Sequence, residues 1–64
     1  MAGVPMFFKP SKDCVIHTKY LQNVIFKSGE IIYVMRDGMK LIVDLDAPDK
    51  CPMQREEVER ILDL

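Results

Sequence analysis

Cys14 and His17 stand three positions apart in "CVIH", and Cys51 is the second of two cysteines beside a single histidine. A thiolate and an imidazole are ligands for zinc or, paired, a nucleophile and its base. Cys14, His17 and Cys51 still leave a tetrahedral structural site one protein ligand short. On a strand, residues 14 and 17 face opposite ways, which argues against joint ligation and equally against a Cys–His nucleophile. Asp37, Asp44, Asp46 and Asp49 resemble a carboxylate cluster, but they fall in a turn, at a strand end and in a loop, where aspartate bonds the local backbone. Ser11 and Ser28 are turn residues, and three glycines form no phosphate-cradling loop. The expectation is therefore a non-enzymatic chain with no metal, no cofactor and no small-molecule substrate.

What remains is the chemistry of contact. Phe26, Tyr33, Met35, Arg36 and Lys40 are the expected partner-binding residues, since aromatic, Met and Arg side chains dominate interface energetics. With 48% hydrophobic and 30% charged residues the composition is that of a globular domain. A net charge of −1 gives no global attraction to nucleic acid or to a membrane surface. The charge is unevenly spread: residues 1–32 hold four lysines against Asp13 and Glu30, net +2, and residues 33–64 hold five basic against eight acidic groups, net −3. Two cysteines are too few for a disulfide scaffold, so both read as free thiols in a reducing, cytoplasmic setting. The start "MAGVPMFFKP" has neither the charged flank and apolar run of a signal peptide nor the length of a membrane span.

These side chains have to be placed by one small domain spanning 1–64. In a chain of 64 residues, burial and conformational entropy are of similar size, which makes a lone subunit marginal and homo-oligomerisation an expectation. "VPMFFK" reads as a strand stopped at Pro10, "PSKD" as a turn and "CVIH" as a second strand. In "TKYLQN", Thr18 caps a single helical turn, or the segment runs on as a bent strand. "NVIFK", "SG", "EIIYVMR", "DG" and "MKLIVDL" then describe an antiparallel meander. The C-terminal "PMQREEVERILDL" is a helix over 52–64, with Pro52 at its first position and Val58, Ile61 and Leu62 on one stripe.

With two-residue loops at Ser28-Gly29 and Asp37-Gly38, Val34 faces Leu41 and Tyr33 faces Ile42. One face then carries Ile25, Ile32, Val34, Leu41 and Val43, and is the expected core beneath the helix. The other carries Val24, Phe26, Ile31, Tyr33, Met35 and Ile42, bordered by Lys40 and Asp44. A patch of that extent needs cover, either from the N-terminal strands closing a small barrel or from another chain. The fold class is α+β: an antiparallel sheet of four or five strands, partly closed as a barrel, with one C-terminal helix.

The run "VIHTKYLQNVIFKSGEIIYVMRDGMKLIVDLDAPDKCPMQREEVERIL" resembles the small flagellar FlbD-type proteins in its order of strand, short connection, Gly-containing hairpin and terminal helix. The hairpin "IIYVMRDGMKLIV" is similar to β-rich LytTR DNA-binding domains. Both likenesses consist of hydrophobic pattern and one turn, and no function is carried over from either. The expected function is a protein-interaction or regulatory module acting through an apolar, aromatic sheet face or an exposed strand edge. A phage-type inhibitor of a host factor is one form of it. The alternative is a small β-sheet nucleic-acid-binding domain, using Tyr20, Phe26 and Tyr33 with Lys19, Lys27, Arg36 and Lys40.

Overall fold

The computed structural model describes residues 3–64, so the part of the leader reading that rests on Met1 and Ala2 lies outside the described residues. The fold is α+β. Five strands form two antiparallel sheets rather than one sheet or a barrel: β1 (Phe7–Ser11) pairs with β2 (Cys14–His17), and β3 (Leu21–Lys27), β4 (Glu30–Met35) and β5 (Lys40–Asp44) form a meander in that order. A 3-10 turn over Thr18–Tyr20 separates the sheets, where the sequence places a helical turn, and α1 (Arg55–Leu62) follows the last strand. The β1–β2 hairpin turns at Lys12-Asp13, and β1 runs one residue past Pro10. Pro10 is tolerated because the ladder is already irregular between Phe8 and Ser11, and its carbonyl accepts from the Met53 amide at 2.9 Å.

The Ser28-Gly29 hairpin has the expected register, with Val24 opposite Tyr33 and Phe26 opposite Ile31. The second hairpin does not. Tyr33 faces Leu41 and Ile31 faces Val43, one position away from the register of a two-residue loop. The loop holds three residues, Arg36–Gly38: the Met35 amide donates to the Met39 carbonyl at 2.8 Å and the Gly38 amide to the Met35 carbonyl at 3.0 Å. Gly38 takes the left-handed conformation that closes such a loop, at φ +92°. Arg36 is held out of the ladder with β5 because its amide donates to the Tyr20 carbonyl at 2.8 Å and its Nε to the Lys19 carbonyl at 2.7 Å. The Met39 amide is likewise occupied, donating to Asp37 Oδ1 at 3.0 Å.

One residue of register exchanges the two sides of β5. Leu41 and Val43 join Val24, Phe26, Ile31, Tyr33 and Met35 on the core side, and Ile42 moves to the outer side. The expected aliphatic core face is therefore not the core. Phe8, Ile16, Ile31, Tyr33, Val43, Val58 and Leu62 form the buried cluster, with Tyr33 at 0% exposure. The β1–β2 hairpin contributes Phe8 and Ile16 and the helix contributes Val58 and Leu62, so both cover the same face of the meander. A bulge at Gln22 brings Leu21 opposite Met35 and onto that face, although Leu21 and Val24 would point oppositely in a regular strand.

The helix begins at Arg55 rather than at Pro52: Gln54 is extended, at ψ 164°, and its carbonyl takes the first helical bond, from the Val58 amide at 3.0 Å, while the Met53 amide upstream is tied to Pro10 of β1. Glu56 and Glu57 complement the dipole in the first turn, and Asp63, left-handed at φ 59°, ends the helix. Its surface ion pairs, Arg55–Glu59 at 3.5 Å and Arg60–Glu57 at 3.2 Å, are exposed and add little. What holds a helix this short is its buried stripe.

Candidate functional site

Hairpin and helix both pack on one side of the meander, and on the other side Ile25 and Ile42 are exposed. The register arranges its outward side chains in three cross-strand rows: Asn23–Val34–Lys40, Ile25–Ile32–Ile42 and Lys27–Glu30–Asp44. An isoleucine row between two polar rows is the result. Ile32, flanked on both sides by isoleucine, is only 9% exposed, while Ile25 is 37% exposed and Ile42, at the margin, 59%. Burial thus rises from the margins of the row to its middle.

The two margins of the sheet differ. The β3 edge is interrupted by the bulge at Gln22, a device that blunts edges. β5 pairs with β4 in unbroken register and has no strand on its other side. The Met35–Met39 bond and a 2.9 Å bond from the Leu45 amide to the Gly29 carbonyl place the odd-numbered residues of β5 toward β4. Lys40, Ile42 and Asp44 thus aim their amides and carbonyls outward. Beside them lies an open groove of about 310 Å³, bounded across from Ile42 and Asp44 by Asp13, Cys14 and Lys50.

A second exposed surface lies on the outer side of the β1–β2 hairpin. Phe7, 56% exposed, meets His17 edge-on with centroids 4.7 Å apart, and His17 meets Tyr20, 55% exposed, at 5.5 Å. The Lys19 ammonium sits 5.0 Å from the Tyr20 ring centre, and Arg36 is fixed to the same turn by its Nε bond. Lys9 shares the outward face of β1 with Phe7.

The expected partner-binding residues are dispersed by this arrangement. Tyr33 lies wholly in the core with the Phe8 ring 5.5 Å away, and its hydroxyl has no hydrogen-bond partner. Burial pushes its pKa up to about 12. Phe26 and Met35 are half-buried on the core face, with the Arg55 guanidinium 4.9 Å from the Phe26 ring centre. Arg36 is exposed beside the aromatic surface, and Lys40 is exposed on the isoleucine face. The expected nucleic-acid surface is divided in the same way, since only Tyr20, Lys19 and Arg36 of it stay together.

Phe7 and His17 were not legible as contact residues from composition. The available signal was the adjacency of Phe7 and Phe8, of which a strand can turn only one inward. Cys14 and His17 occupy positions of opposite facing on β2, and Cys51 is an exposed free thiol in the connection between β5 and α1. Among the described residues, no three His, Cys, Asp or Glu side chains come together as a metal site needs. Asp37 and Asp44 perform the local bonding expected of them, Asp44 Oδ1 accepting from the Asp46 amide at 2.9 Å. No helix among the described residues is long and apolar enough to cross a membrane. Set against protein-family models, curated proteins and solved structures, the chain gives no match.

Proposed function

We propose that this chain is a small non-enzymatic protein-interaction module, working in the cytoplasm, that binds protein through the isoleucine row and the β5 edge. The observation that carries the reading is Ile42, a large aliphatic side chain 59% exposed beside an unpaired run of backbone. An apolar row next to free main-chain donors and acceptors suits strand addition, in which the backbone supplies affinity and alternate side chains supply specificity. A phage-type inhibitor of a host factor would use the same surface.

The test is capture by the tagged domain compared with its Ile25→Asp/Ile42→Asp variant. A protein retained in stoichiometric amount by the first and lost by the second, with circular dichroism unchanged, is the expected result. Equal retention by both refutes the reading.

A second reading is favoured by the Phe7–His17–Tyr20 surface, where exposed rings lie among Lys9, Lys19 and Arg36, as in surfaces that stack single-stranded nucleic acid. It predicts binding to mixed single-stranded oligonucleotides that falls steeply with salt. Tyr20→Ala should weaken that binding by about tenfold, since stacking is worth ~1–3 kcal/mol per base. An absence of binding at low salt removes this alternative.

A further inference from the structure

We infer that the occupant of the β5 edge is a second copy of this chain, added antiparallel about a two-fold axis through Ile42. The inference rests on the interaction reading above and names its partner. The outward residues of β5 read Lys40–Ile42–Asp44, a sequence that complements itself when reversed. Centred on Ile42, a two-fold sets Lys40 against the partner's Asp44, Ile42 against the partner's Ile42, and Asp44 against the partner's Lys40.

Three independent features agree with this pairing. The first is backbone parity: the residues brought together are the ones whose amides and carbonyls already point outward, so each facing pair exchanges two main-chain hydrogen bonds. The second is charge. Lysine on an edge normally discourages pairing, but this register gives Lys40 an opposite charge on each side of the axis, and opposite charges facing across strands are stabilising. The third is the isoleucine row. Ile32, with isoleucine on both flanks, is 9% exposed, and pairing gives Ile42 the second flank it lacks. The two rows become one continuous row across six strands.

An edge of this length forms a small interface, so the association belongs in the weak class. Native mass measured by sedimentation equilibrium should rise from 7.4 kDa toward twice that value as concentration increases. A span from ~5 μM to ~500 μM covers the range of a micromolar dissociation constant.

Lys40→Glu and Asp44→Lys, made separately, each set like charges against one another twice per dimer and should weaken association at least tenfold. Their equimolar mixture restores two opposite-charge pairs and should associate as the wild type does. Both sites are exposed, and circular dichroism of each variant establishes that it is folded; the mixture supplies a rescue that misfolded chains cannot give.

A wild type monomeric throughout, single variants that associate unchanged, or a mixture that stays monomeric overturns the pairing. If the wild type is monomeric but Ile42-dependent capture of another protein persists, self-pairing falls and the interaction reading stands. If both are absent, both fall.

Discussion

Tyr33→Ala is expected to leave no folded domain, whereas Tyr33→Phe should fold and resist alkali better than the wild type. Tyr33 is completely buried at the centre of the meander and packs beside Phe8. Truncating a large core ring costs about 3–5 kcal/mol, a loss comparable with the whole margin of a single-core domain of this size. The phenolic oxygen contributes none of that stability, since it is buried without a hydrogen-bond partner. Removing it in Tyr33→Phe should cost nothing at neutral pH and can return up to about 1 kcal/mol.

The same burial predicts an alkaline limb. Desolvation disfavours the phenolate in the fold and raises the Tyr33 pKa from 10.0 to about 12. Below pH 10 the phenol is neutral in both states and its titration makes no difference. Between pH 10 and 12 the unfolded chain releases the proton while the folded one retains it, so stability falls by about 1.4 kcal/mol per pH unit. Urea midpoints measured from pH 7 to pH 11.5 should show this decline in the wild type and a shallower one in Tyr33→Phe. If Tyr33→Ala keeps the wild-type midpoint, that side of the sheet is not the core.

Much of the fold is legible in the chain because local chemistry and tertiary packing agree there. Ser28-Gly29 closes the first hairpin in the expected register, and Gly29 adopts a positive φ of 80° as that turn requires. The helical stripe of Val58, Ile61 and Leu62 is likewise visible in the sequence, and the single turn at Thr18–Tyr20 is one of the two readings it allows, with His17 rather than Thr18 as its cap. Legibility fails where distant groups decide between local options. Asp37-Gly38 suits a two-residue loop, but the same glycine can serve as the last residue of a three-residue loop. Arg36 settles the choice by bonding to Lys19 and Tyr20, a contact between residues 17 apart in the chain. Nothing local to "RDG" specifies that bond.

The cost of that ambiguity fell on the candidate site. A shift of one position moves every β5 side chain to the other face, so the aromatic face that holds Tyr33 gains Leu41 and Val43 and is the core, covered by the N-terminal hairpin and the helix, while the expected core face gains Ile42 and is the exposed one. The start of the helix differs on a smaller scale: Pro52 is a good first helical residue in isolation, but the chain stays extended through Gln54, beside β1, where the Met53 amide bonds to the Pro10 carbonyl.

The parity of β5 underlies the core, the exposed isoleucine row and the pairing edge, and two adjacent substitutions test it. Val43 is buried against the core cluster, while Ile42 is 59% exposed on the opposite side. An aspartate at 43 places a carboxylate in an apolar interior, at a cost of at least ~3 kcal/mol. At 42 the same residue loses strand propensity and the partial packing of a side chain already 59% exposed, about 1 kcal/mol. Chemical denaturation of Val43→Asp and Ile42→Asp, measured side by side, should give an unfolded or barely folded chain for the first and a cooperative transition near the wild type for the second. A stable Val43→Asp beside an unfolded Ile42→Asp would restore the two-residue loop and contradict the account.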